Sequence, residues 1–513
     1  MEQQRYPLGR QVFSDIRKEN LVYIDKTEYI YNLTHDNCPY MCLTRPRCFG
    51  KTLLLYTIQS YFEGRKELFK GLAIEKLEKE WTQYPVIHLN MSLCKFAEKD
   101  DLPMYFSSLL RPYEEKYGIK DKEGDSSIRF ATLIRTAYEQ TGKRVVVLID
   151  EYDAPFLNVI EKEDSLDDYI RIMHSFYGPL KSCDAYLHFV LLAGTTKIES
   201  LSIFSGLNNF DNIGMDEKYA AICGITQEEL EQYMRPGIEK IAKAKGTTYE
   251  RALQLLKDKY DGYHFTMPSP DLYNPLSLLN ALSDGMLDYN WVSSGSPTML
   301  IEVLKRCDID PRKLDDIKLM ESSFFRPAEK LSSPIPFLYQ NGYITIKEYE
   351  KDFKLYTLSI PDKEMRMGLM RFLLSEYLDI RQGDCFSTIA MMIHNIFDKD
   401  LNKAFTRLQQ FLDTLPPCDE DRFQRLVYAI FSSLGYSTDM EIHATPGRQE
   451  IVMNTPYQLY IMELKFKEDA TEAIQQIDLK QYDKRFALCN LPVVKAIINF
   501  DCEKHTIAHW VIE

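Results

Sequence analysis

The sequence predicts an α/β protein: a parallel sheet with a helical lid and a hairpin-bearing piece behind it, followed by a second, smaller α/β domain. Three observations carry this. Val145-Val146-Val147-Leu148-Ile149 is an apolar, mostly β-branched run ending in Asp150-Glu151-Tyr152-Asp153, the pattern of a parallel strand buried on both faces. Tyr40 to Leu43, Tyr84 to Leu89 and His188 to Ala193 are comparable runs separated by stretches of helical spacing, which implies right-handed crossovers in one sheet. After Pro416-Pro417 the pattern starts afresh, with Phe423, Val427, Ile430, Phe431 and Leu434 on one helix face and Gly435 as its stop.

Composition narrows the classes. A chain of 513 residues is too long for one core, so two to four domains are expected. With 62 basic and 76 acidic residues the net charge is −14, which excludes a basic nucleic-acid coat and leaves room only for a local patch. No apolar run is long enough for a membrane span, and the start MEQQRYPLGRQ has no signal-peptide core, so a cytoplasmic protein is expected. The 11 cysteines include no C-x-x-C pair and read as free thiols in a reducing compartment. His188 and His264 read as structural.

The segment Thr44-Arg45-Pro46-Arg47-Cys48-Phe49-Gly50-Lys51-Thr52 lies between the first strand and a helix face made by Ile58, Tyr61 and Phe62. Strand, turn, Gly-Lys-Thr, helix is the context of a phosphate-binding loop. Backbone N–H groups from Gly50 onward cradle phosphate at the helix N-terminus, Lys51 reaches the β and γ oxygens of ATP, and the Thr52 hydroxyl holds Mg²⁺. Arg45 stands where such loops usually have their first glycine. Asp150, at the C-terminal end of a strand where α/β sheets bind ligands, is expected in the Mg²⁺ shell, and Glu151 is expected to orient the attacking water. The other reading of these acids is a core strand running into a solvated turn. Thr195 or Thr196 senses the γ-phosphate or closes an ordinary turn. Arg45 and Arg47 are candidates for charge stabilisation in cis.

Residues 1–37 read as a lead-in with a short strand and a helix. Residues 103–142 and 165–183 read as mostly helical, and Tyr219 to Ile225 as the fifth strand. Thr226-Gln227-Glu228-Glu229 is an N-terminal capping signature opening a helical lid, punctuated at Asn274-Pro275 and Ser296-Pro297-Thr298. Tyr343 to Ile346 and Leu355 to Leu358 pair as a hairpin, and helices continue to Leu415. The expected domains are 1–225, 226–310, 311–415 and 416–513.

In the last domain, Gln449 to Met453 and Gln458 to Lys465 form a second hairpin. Glu463 and Lys465, two apart on one strand, share a face, and strand pairing brings Glu450 close. Two carboxylates and a lysine there hold Mg²⁺ and polarise a water beside a phosphodiester, with Lys465 offsetting transition-state charge.

Several stretches carry a resemblance: Tyr23-Ile24-Asp25-Lys26-Thr27, RPRCFGKT (45–52), LIDEYDAP (148–155), SIFSGLNN (202–209), YDGYHF (260–265) and YNPLSLLNAL (273–282). Through them the chain resembles bacterial AAA-ATPase-like proteins with a C-terminal PD-(D/E)XK nuclease-like domain. The resemblance implies a P-loop NTPase fold in which arginine at the first-glycine position is usual, a winged-helix-like piece within 311–415, and a restriction-endonuclease-like core at the C-terminus. It also implies site roles for Glu420, Gln476 and Tyr482. Glu450 departs from the pattern, where the first acid is more often Asp.

Two functions are expected to compete. One is an ATP-binding and ATP-hydrolysing protein coupled to a Mg²⁺-dependent nuclease acting on DNA or RNA, in which an oligomer is compatible with the sequence. The other is an ATP-binding signalling or scaffold protein whose nuclease-fold domain is a non-catalytic binding module.

Overall fold

The computed structural model describes residues 4–92, 101–120, 124–157, 166–197, 209–289, 307, 309–325, 333–378, 382–434, 439–445, 448–455, 457–466 and 491–513. The chain divides into two compact units, Met1–Ser294 with Asp316–Asp362, and Gly295–Asp315 with Lys363–Glu513.

The first unit begins with helices α1 (Phe13–Lys18) and α2 (Thr27–Thr34), then strand β1 (Tyr40–Thr44) and helices α3 (Lys51–Phe62) and α4 (Ala73–Leu77). Strand β2 (Val86–Asn90), helices α5 (Asp101–Lys116) and α6 (Ser126–Thr141), and strand β3 (Val145–Asp150) follow. Helices α7 (Ala154–Leu157), α8 (Leu166–Tyr177) and α9 (Pro179–Ser182) lead to β4 (Leu187–Gly194) and β5 (Asp211–Asn212). The sheet order is β2-β3-β4-β1-β5, and every pairing in it is parallel. All six residues of β3 are buried, as its apolar run requires. Asp125 caps α6 by accepting the Ser127 and Ile128 N–H groups, and Gly142 ends that helix in the left-handed region.

Three lid helices come next: α10 (Gln227–Lys245), α11 (Tyr249–Tyr260) and α12 (Pro275–Asp284). Thr226 and Glu229 form a reciprocal capping box at the start of α10. The lid core gathers Leu230, Met234, Ile238, Leu256 and Leu278 with Val22 from the N-terminal segment. The unit closes with β6 (Ile317–Met320), α13 (Ile335–Gln340), β7 (Thr345–Glu350) and β8 (Leu355–Ser359), an antiparallel sheet in the order β6-β8-β7.

The second unit carries helices α14 (Lys363–Leu378), α15 (Gln382–Phe397), α16 (Leu401–Leu412) and α17 (Glu420–Leu434), then β9 (Asp439–Thr445), β10 (Arg448–Asn454), β11 (Leu459–Lys465), β12 (Val493–Asp501) and β13 (Thr506–Ile512). Its sheet order is β13-β12-β11-β10-β9. It is mixed: β11 and β12 run parallel and the other neighbours antiparallel. Helix α17 buries Phe423, Val427, Ile430, Phe431 and Leu434, the stripe expected from their spacing.

Two expectations fail. No strand forms among the described residues of 1–37; the lead-in consists of α1, α2 and extended chain. Tyr219 to Ile225 is not the fifth strand, which is Asp211–Asn212 beside Met41 and Cys42. The Tyr219 and Ala220 carbonyls accept from the Arg45 guanidinium and that of Ala221 from Lys26. These three acceptors are taken up by basic side chains, and Ile225 pairs with Tyr273 in an isolated antiparallel bridge instead of joining the sheet. Strands β6, β9, β12 and β13 add to the two predicted hairpins.

Candidate functional site

The loop after β1 is anchored from several sides. The Arg45 side chain is 1% exposed, and its guanidinium donates to the carbonyls of Thr44, Gly214, Tyr219 and Ala220 while lying 4.4 Å from the Phe265 ring centre. Phe49 packs edge-on against Tyr263 and Phe265, with ring centres 4.9 and 5.2 Å apart. Gly342 approaches so closely that a Cβ there would lie 2.9 Å from the Pro46 Cβ. Gly50 adopts φ 96°, a conformation a side chain disfavours, and turns the chain into α3.

This anchoring sets the reactive groups. Lys51 Nζ donates to the carbonyls of Arg45 and Pro46, 3.0 Å each, and lies 4.0 Å from Glu151 Oε1. The Thr52 hydroxyl donates to Asp150 Oδ2 at 2.7 Å. Asp150 is fully buried, and burial pushes its carboxyl up to about 6 against the pull of the Thr52 hydroxyl. Glu151 has φ 53°, an uncommon backbone conformation that clusters at functional sites. Gly50, Lys51, Thr52, Asp150 and Glu151 are therefore brought together. Thr195 is buried at the end of β4, the strand between β1 and β3, while Arg47 is exposed on the loop, its charge acting on the Tyr343 phenol. Beside Gly50 opens a cavity of about 100 Å³, lined by Tyr23, Ile24, Lys26, Leu53, Ile222 and Met234 among others.

In the second unit, Glu450 on β10 stands directly opposite Glu463 on β11. Directly opposed residues project to one face, and like charges so placed repel. Glu463 is 2% exposed, with Lys465 Nζ 3.6 Å from its Oε1. Asn499 on β12 is in register with Lys465 and bonds to His509 Nε2 at 2.6 Å. Glu420 opens α17 and accepts from Gln424. Gln476, Tyr482, Ser202 to Asn208 and Ser296 to Thr298 lie outside the described residues. Among the described residues no group of three or more His, Cys, Asp or Glu gathers closely enough to hold a metal ion.

Comparison with known proteins agrees with this geometry. Residues 7–204 match the family described as predicted AAA-ATPase, and residues 418–510 match the PD-(D/E)XK nuclease superfamily. The chain joins an AAA-ATPase-like domain to a PD-(D/E)XK nuclease-superfamily domain. A protein described as uncharacterized, in the vnfD 5′ region of Azotobacter chroococcum mcd 1, is 27% identical over 534 aligned positions, covering 100% of this chain and 99% of that one.

In the AAA-ATPase-like domain, Arg45 serves the fold. Its guanidinium is taken up by carbonyl oxygens, so the arginine at the first-glycine position secures the loop from behind. Arg45→Met is expected to cost about 3 kcal/mol, because buried carbonyls left without donors cost about 1–3 kcal/mol each and some will be re-satisfied by water. Arg45→Lys should recover only part of this, since a point charge cannot replace the planar fork. Thermal unfolding checks both; an unchanged midpoint for Arg45→Met would show that the carbonyls find other donors.

Sequence reasoning missed Tyr152 and Asp153. Asp153 is fully buried, and burial raises its pKa. The signal was present in the sequence, since an acid three residues past Asp150 is unusual immediately behind a buried strand.

Proposed function

We propose that the AAA-ATPase-like domain binds Mg·ATP and hydrolyses it, and that the PD-(D/E)XK domain is a metal-dependent nuclease acting on nucleic acid in the cytoplasm. The observation that carries the first half is the convergence of the Thr52 hydroxyl, the Asp150 carboxylate, Lys51 and Glu151 at the N-terminus of α3. The oxygen pair of Thr52 and Asp150 fits a hard cation, and the N-terminus of a helix this long favours phosphate. Bound Mg²⁺ would neutralise phosphate charge. Lys51 would bind the β and γ oxygens, Glu151 would hold a water in line with the terminal phosphate, and Thr195 would meet that phosphate from β4. The base would pack toward the mostly apolar cavity beside Gly50.

For the nuclease, Glu450, Glu463 and Lys465 share one strand face, and a divalent cation would relieve the opposed carboxylates. The competing reading, a non-catalytic binding module, is favoured by one observation: among the described residues no group of three or more His, Cys, Asp or Glu gathers closely enough to hold a metal ion.

Glu151→Gln tests the ATPase half. It keeps the side chain's shape and removes the carboxylate, so affinity for Mg·ATP should persist while turnover falls on the order of 10²-fold. Isothermal titration with single-turnover hydrolysis separates the two. Weakened binding with unchanged turnover per bound nucleotide would make Glu151 a metal or structural residue.

A further inference from the structure

The acid-bearing strand does not end its influence at Glu151. Asp153 turns back to the end of β4, where its carboxylate accepts the Thr195 N–H at 3.1 Å and the Thr196 N–H at 2.5 Å. Tyr152 grips the same segment twice more: its N–H donates to the Ala193 carbonyl at 3.2 Å, and its hydroxyl donates to the Thr196 carbonyl. The Tyr177 hydroxyl holds the Tyr152 carbonyl at 2.7 Å. A Cβ at Gly194 would come within 2.6 Å of both Asp153 Oδ1 and the Tyr152 ring, so glycine is required for this approach.

These bonds join the ends of β3 and β4, neighbours in the parallel sheet. On the proposed reading of the site, residues 150 and 151 would supply the metal ligand and the water-orienting acid, and residue 195 the polar group that meets the terminal phosphate. The two residues that follow the acids tie these groups together through backbone atoms. Fixed dipoles aimed where charge develops are worth more than mobile ones.

We propose that Tyr152 and Asp153 are positioning residues that clamp the end of β4 against the catalytic strand, so that Thr195 reads the presence of the terminal phosphate. This rests on the nucleotide reading of the site. It assigns the clamp a selective role: nucleotide triphosphate is distinguished from diphosphate through it, whereas diphosphate binding by Gly50, Lys51 and Thr52 does not depend on it.

The test compares affinities of the full chain for Mg·ADP and for a non-hydrolysable ATP analogue with Mg²⁺. In Asp153→Asn the analogue should bind about tenfold more weakly, the scale of one charge-assisted hydrogen bond, with ADP affinity within about twofold of wild type. Tyr152→Phe, which deletes only the hydroxyl, should shift the same ratio in the same direction even if Asp153→Asn fails to fold. Thr195→Ala should reproduce the effect, and adding Asp153→Asn to it should cost little more, because both act through one contact. Equal losses for both nucleotides in Tyr152→Phe would reduce the clamp to a purely structural role and overturn the proposal. So would additive losses in the double variant. Failure of the wild type to bind either nucleotide would instead overturn the underlying reading.

Discussion

Lys51→Ala is expected to lower nucleotide affinity by about 100-fold or more, on the scale of charge-assisted bonds to phosphate. The ammonium is buried at 3% exposure and supported by two loop carbonyls, so it is already aimed before phosphate arrives. Its removal takes away the cation proposed for phosphate, deprives those carbonyls of this donor and strips Glu151 of the positive charge 4.0 Å from its Oε1. Titration with a fluorescent ATP analogue measures the loss, and the far-ultraviolet circular dichroism spectrum should stay that of the wild type. Affinity within threefold of wild type would remove the phosphate-loop assignment, whatever the fold.

Glu463→Gln is expected to abolish metal-dependent cleavage of nucleic acid, by on the order of 10²-fold or more, while ATP turnover stays near wild type. The groups proposed for turnover all belong to the first compact unit. Stability should not fall with activity, because the amide removes one of two directly opposed carboxylates and keeps the packing volume. The measurement is nicking of single- and double-stranded DNA and RNA with Mg²⁺ or Mn²⁺, with and without ATP. If the wild type cuts nothing under any metal yet binds nucleic acid or protein, the domain is a binding module. If Glu463→Gln cuts as well as wild type, the metal is held elsewhere.

How far the sequence could be read depended on whether a segment's burial came from a sheet or from something else. The run from Val145 to Ile149 was legible because every residue faces a packed layer, and the acids after it could only lie at the sheet's edge. Gly-Lys-Thr was legible because its chemistry needs a fixed spacing. Tyr219 to Ile225 misled because apolar character reports burial, and nothing in the letters shows that its carbonyls bind Arg45 and Lys26. The strand that took its place, Asp211–Asn212, is too short and too polar to leave a periodic signal. Strands β12 and β13 were missed because neither alternates apolar and polar residues along its length, and their partners are fixed only by long-range pairing. Arg45 stands in the sequence as a candidate for charge stabilisation in cis, because sequence gives a side chain's type but not its direction; its guanidinium turns instead to backbone carbonyls.

The grip of Tyr263, Phe265 and Gly342 on Phe49 and Pro46 bears on where the AAA-ATPase-like module ends. The family match stops at residue 204, yet the turn that shapes the phosphate loop is pressed into form by segments far downstream of it. A fragment cut at that boundary would keep every residue proposed to touch phosphate and lose the scaffolding that holds them in line. The unit that shapes the loop is thus longer than its motif: it runs through the small antiparallel sheet to Asp362, and Thr345 of that sheet bonds both backbone groups of His264, next to the Phe265 that packs on Phe49.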